Sequence, residues 1–114
     1  MNTILALLVA ISLQESGGGV NRWNPKERAV GEYQIRQLAV DDLNRHYGKD
    51  YKLEDFENRA LARWAVLHYG KMYGAETPEE ISRIWNGGPR GMKKRSTIKY
   101  WNEVQEKMET VLKQ

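Results

Sequence analysis

The chain has no cysteine, only two histidines and only three prolines among its 114 residues. Without cysteine, disulfides and thiolate-bound zinc or iron–sulfur centres are excluded. Their absence assigns no compartment, because a secreted protein need not use disulfides. His46 and His68 have no ligand spacing around them, so no metal site is expected. No apolar run reaches the ~20 residues of a membrane span, so no stable membrane insertion is expected. The apolar stretch Ile4 to Ile11 has no Lys or Arg before it. It is also shorter than the ~15–30 residues of a cleaved leader, and it is read as part of the folded protein. Repeats, low-complexity tracts and linkers are missing too, which leaves one domain over residues 1–114.

What is present is an ordinary globular composition, 40% hydrophobic and 29% charged, with a net charge of +3. That mild basic excess suits an anionic polymer or surface as partner and does not choose among them. Apolar spacing predicts an all-α chain of about five helices with one irregular lobe after the first. Asn2 or Thr3 can cap the first helix, which runs to about Ser16 and is apolar nearly all round from Ile4 to Leu13, so it must be buried. Residues 17–35 read as a long loop with at most short extended pieces. A second helix is predicted over 36–47, ended by Gly48. A third begins near Glu54-Asp55, buries Phe56, Ala60, Leu61, Trp64, Leu67, His68 and Met72, and closes at Gly74. Thr77-Pro78-Glu79-Glu80 is a capping box with proline at the first helical position. The fourth helix it opens breaks at Asn86-Gly87-Gly88-Pro89. A basic loop follows, and Ser96 can cap the last helix, with Trp101, Val104, Met108 and Val111 facing inward.

The chemistry concentrates at Glu15. It stands in the last turn of an apolar helix, where burial and the negative end of the helix dipole both oppose ionisation. Both raise its pKa, and a carboxylic acid still protonated near neutrality can serve as a general acid. On its own, a glutamate beside a glycine C-cap is more often an ordinary surface residue. Three further motifs weigh against that reading.

In order, the four are Glu15-Ser16-Gly17; Gly31-Glu32-Tyr33-Gln34-Ile35; Trp85-Asn86-Gly87-Gly88; and Thr97-Ile98-Lys99-Tyr100-Trp101. Their order and spacing resemble the lysozyme-like catalytic domain of soluble lytic transglycosylases and goose-type lysozymes, most of all small phage-like members such as endolysins. The resemblance covers residues 4–105. It implies a lysozyme-like fold that cleaves the β-1,4 bond between N-acetylmuramic acid and N-acetylglucosamine in peptidoglycan. Glu15 matches the family's catalytic acid, and Ser16 a residue that supports it or touches substrate. Gln34 matches a cleft contact, Asn86 a sugar-binding turn residue, and Tyr100 the tyrosine whose hydroxyl reaches the acid. Tyr33 and Trp85 depart from the commoner residues, methionine and tyrosine, but both can stack on a sugar.

The resemblance further implies a reaction without metal or cofactor. Glu15 protonates the departing oxygen and then takes a proton from the C6 hydroxyl, giving a 1,6-anhydro product. The alternative is hydrolysis by a water held on a second carboxylate. Glu32 is the better candidate and Glu27 the weaker. The implied partner is the peptidoglycan glycan strand, met by a monomer acting on the bacterial wall from the periplasm, the outside or a virion, with no nucleic acid involved. Two rivals come from another class: a non-catalytic wall-binding module, and a small basic helical domain gripping nucleic acid through Lys93-Lys94-Arg95. The second accounts for the charge but not for the motifs at Glu15, Gln34 and Asn86.

Overall fold

The computed structural model describes residues 1–114. Five α-helices follow in order: α1 (Thr3–Ser16), α2 (Gln37–Tyr47), α3 (Arg59–Met72), α4 (Pro78–Gly87) and α5 (Ser96–Leu112). A minimal antiparallel hairpin, β1 (Trp23–Asn24) and β2 (Ala29–Val30), lies in the lobe after α1, with Trp23 opposite Val30. No helix is long and apolar enough to cross a membrane.

α1 packs against α5, α5 against α4, and α4 against α3. The interior divides into two apolar clusters. One joins Leu7, Ile11, Tyr33, Val66 and Val104; the other joins Ile35, Val40, Leu43, Phe56 and Tyr69. Trp85 on α4 packs against both. Asn2 caps α1 through its side chain, and Thr77 and Glu80 form the expected reciprocal box at α4.

Three expectations are corrected. The third helix is two elements. A 3-10 turn over Leu53–Glu57 ends at Asn58, whose side chain then accepts the Leu61 N–H and starts α3. Its buried face carries Ala62, Ala65, Val66 and Tyr69, whereas Ala60 is exposed and Leu61, Trp64, Leu67, His68 and Met72 are half-buried. Ser96 is the first helical residue of α5 and not its cap; Arg95 precedes it with no side-chain capping bond. Finally, α1 is not fully enclosed, since Ile4 and Leu13 stand at the surface.

Candidate active site

α1 ends where Gly17 adopts φ +65°, and the N–H groups of Gly17 and Gly18 close on the Leu13 and Ser12 carbonyls. This fixes the last turn and with it Glu15. The residue is half-buried, but its carboxyl is largely screened from solvent. The Tyr100 hydroxyl, from a side chain only 8% exposed, donates to Glu15 Oε2 at 2.7 Å. Burial is the dominant influence on Glu15 and pushes its pKa from an ordinary 4.5 up to about 7. The Tyr100 bond and the Arg36 charge pull it down, and the Glu27 charge adds to the rise. Burial, with the neighbouring Glu15, holds the Tyr100 phenol well above its ordinary range, so it stays a donor.

Glu15 opens on a groove of ≈ 340 Å³. Gln34, Ile35, Arg36, Leu38 and Ala39 line it from the lobe and the start of α2; Tyr69 lines it from α3. Trp85, Asn86, Gly87, Gly88 and Lys94 complete it from the end of α4 and the segment beyond. A second hollow of ≈ 390 Å³ lies between the start of α4 and α5, lined by Thr77, Trp101 and Met108 among others. Its acids are Glu79, which Arg83 holds at 2.7 Å, and the exposed Glu109, so the chemistry points to the groove at Glu15.

Of the residues singled out in the sequence, Glu15, Gln34, Trp85 and Asn86 line this groove, and Tyr100 touches Glu15. Gln34 has φ +53°, an uncommon conformation for a side chain. Its amide nitrogen donates to the carbonyls of Asn21, Arg22 and Gly31, so it also ties the lobe together. The Trp85 indole donates to the Tyr33 carbonyl at 3.3 Å.

Three residues do not reach the groove. Tyr33 is fully buried in the first apolar cluster, and its hydroxyl accepts from Arg63; it cannot stack on a sugar. Ser16 is buried, donates to the Glu32 carbonyl at 2.6 Å and accepts the Gly19 N–H. It fastens the lobe to α1 and does not face substrate. Glu32 is spent in the same joint: Ser12 Oγ donates to Oε1 at 2.9 Å and Arg59 Nε to Oε2 at 2.8 Å. Burial disfavours its charge, but the bonds from Arg59 and Ser12 and the charges of Arg59 and Arg63 outweigh that, leaving the pKa below its ordinary value. Glu32 therefore joins α1, the lobe and α3, and is not free to hold a water at Glu15. Trp23 is exposed on the hairpin. Arg36 and Lys94 are the charged groove residues that the motifs did not mark. The one hint was their position, directly after Gln34-Ile35 and inside the basic loop.

No protein-family model matches the chain. A lysozyme of the bivalve Ostrea edulis is 30% identical over 105 residues, covering 87% of this chain and 77% of its own length. The chain belongs to the lysozymes. A lysozyme of Meretrix lusoria is 38% identical over 82 residues, covering 68% of this chain and 66% of the relative. A chain in the crystal structure of Aeromonas hydrophila PliI in complex with Meretrix lusoria lysozyme superposes with a TM-score of 0.71 at 29% identity. That match covers 89% of this chain and 87% of the other. The lysozyme-like fold inferred from the motifs is therefore the fold found, and the protein is an enzyme of the glycoside hydrolase kind. A non-catalytic module does not fit that membership. The matched relatives are bivalve lysozymes, and neither is a lytic transglycosylase or a goose-type lysozyme by name.

Proposed function

We propose that the protein cleaves the β-1,4 bond between N-acetylmuramic acid and N-acetylglucosamine in bacterial peptidoglycan, with Glu15 as general acid and then base. The observation that carries this is a screened carboxyl with a pKa of about 7, held by Tyr100 at 2.7 Å and opening on a groove. At neutral pH a large fraction of Glu15 is protonated, and its conjugate base remains strong enough to take a proton back. Trp85 offers an apolar face to a sugar ring, and Asn86 offers amide hydrogen bonds beside a glycine pair that lets backbone approach closely.

Glu15 is the one carboxylate among the groove residues. That favours a single-carboxylate course. Its proton passes to the departing glycosidic oxygen as the C1–O bond breaks, and the muramoyl N-acetyl oxygen stabilises the cationic C1. Glu15, now ionised, takes the proton of the C6 hydroxyl while O6 closes on C1. The product is a 1,6-anhydro ring, and Glu15 is restored as the acid.

One observation favours hydrolysis as a second reading. The charge of Glu27 reaches Glu15, and Arg36 Nη2 holds the Glu27 carboxylate at 2.6 Å. Glu27, and not Glu32, is the acid then available to orient a water. Mass spectrometry of muropeptides released in ¹⁸O-labelled water separates the two. The single-carboxylate course gives unlabelled anhydro ends, lighter than reducing ends by one water. Hydrolysis gives reducing ends carrying the label. Failure to release any muropeptide would remove both readings.

A further inference from the structure

Cleavage of a neutral glycosidic bond does not by itself call for two cations in the groove. Arg36 enters it at the start of α2 and Lys94 from the segment after α4. With Glu15 protonated, the lining carries these two positive charges and no negative one. Lys94 is not neutralised in place, and Arg36 only by an exposed partner. The Lys94 ammonium donates to the Gly87 carbonyl at 2.6 Å and has no acidic partner, so two of its N–H groups stay free. Arg36 pairs with Glu27, but both side chains are more than half exposed, so the pair is weak and easily exchanged. The guanidinium keeps further donors for a planar anion. The start of α2 adds to the field: Arg36 stands at its cap position with no capping bond, and no acid lies in its first turn.

We propose that Arg36 and Lys94 form a carboxylate-recognition site beside Glu15, which makes the groove selective for glycan strands that carry a carboxylate on the sugar being cleaved. This rests on the peptidoglycan reading and specifies its substrate class. The fitting group is the lactyl carboxylate of muramic acid, charged when no stem peptide is amide-linked to it. A stem-peptide carboxylate offers the same chemistry from farther out. A neutral chitin oligomer offers neither, and for it the two cations are only desolvated.

The test is calorimetric binding to the folded Glu15→Gln protein, whose groove has the charge of the protonated enzyme and does not consume ligand. Three ligands of equal length are compared: peptide-free peptidoglycan glycan, the same glycan with stem peptides, and chitin oligomer. The peptide-free glycan should bind about tenfold more tightly than chitin or better, the scale of one well-made charge-assisted contact. Adding Arg36→Gln or Lys94→Gln should bring that ratio toward one, and so should salt. A preference confined to the peptide-bearing glycan keeps the carboxylate site and moves its source to the stem peptide. Equal affinity for all three glycans, or a ratio unmoved by both substitutions, overturns the proposal. Turnover is followed separately with the unsubstituted protein. Loss of the binding preference with turnover intact removes only the carboxylate site. A binding preference without turnover removes the catalytic reading.

Discussion

Glu15→Gln lowers release of muropeptides from purified peptidoglycan by about 10²–10⁴-fold, the range expected when a positioned proton donor is lost. Glutamine has nearly the same shape and can still accept the Tyr100 hydroxyl bond, so circular dichroism should remain that of the folded protein. Stability should change in the opposite direction from activity. Glu15 has a folded pKa of about 7 against an ordinary 4.5, so between these values the folded state binds more protons than the unfolded. The stability Glu15 contributes is complete below the unfolded pKa and is lost as pH rises through the folded one. At pH 8 the wild type therefore carries a strained, ionised carboxylate worth about 3 kcal/mol against folding, by the usual 1.36 kcal/mol per pKa unit. A glutamine side chain in its place does not titrate. The substituted protein should melt above wild type at pH 8 and lose that advantage by pH 4, which thermal denaturation at the two values will show. An active protein with glutamine at this position would remove Glu15 from the chemistry.

The second large effect is structural and lies in the lobe. Gly31 has φ +82°, and a Cβ built on it would stand 2.7 Å from the Phe56 carbonyl oxygen. Its own carbonyl receives both the N–H and the side-chain amide of Gln34, and its N–H donates to the Arg22 carbonyl at 2.7 Å. Gly31→Ala adds left-handed strain to a clash with backbone that cannot rotate away. The cost should be about 3 kcal/mol, seen as a fall of roughly 10 °C in melting temperature for a chain of this size. Gly48, with φ +65° and open space around it, is the control. Gly48→Ala should carry the conformational penalty alone, about 1 kcal/mol. Equal losses at the two positions would mean that contact with Phe56 has no part in holding the lobe.

These residues show what could be read before any coordinates. Glu15 was legible because its environment is local: an apolar helix, its C-terminal turn and a glycine stop all lie within a few residues of it. Tyr100 stands 85 positions away and became legible only through the order of motifs, since no local pattern links it to Glu15. The Gly31–Ile35 segment misled for a physical reason. Around its tight turn, successive side chains take different directions, so Gln34 reaches the groove while Tyr33 enters the core and Glu32 meets Arg59. The Glu32–Arg59 pair spans 27 positions and joins two elements that nothing in their sequences pairs. It was therefore natural to read Glu32 as a free cleft acid. In the same way, Asn58 looked like one more polar residue of a continuous helix, whereas its side chain starts a new one. Arg36 carries no motif, and Lys94 stands out only as one residue of a basic run. Their place in the groove follows from the start of α2 and the segment after α4 lining it together.

The most direct measurement of the central claim is the titration of the Glu15 carboxyl itself. The side-chain carboxyl carbon, ¹³C-labelled and assigned by its absence in the Glu15→Gln protein, can be followed by NMR across the pH range. Wild type should inflect near pH 7, because burial outweighs the Tyr100 bond and the Arg36 charge. Tyr100→Phe should inflect higher still, because the hydroxyl that favours the ionised form is gone. An inflection near the ordinary 4.5 in the wild type would mean that Glu15 is an exposed carboxylate at neutral pH and would contradict the account.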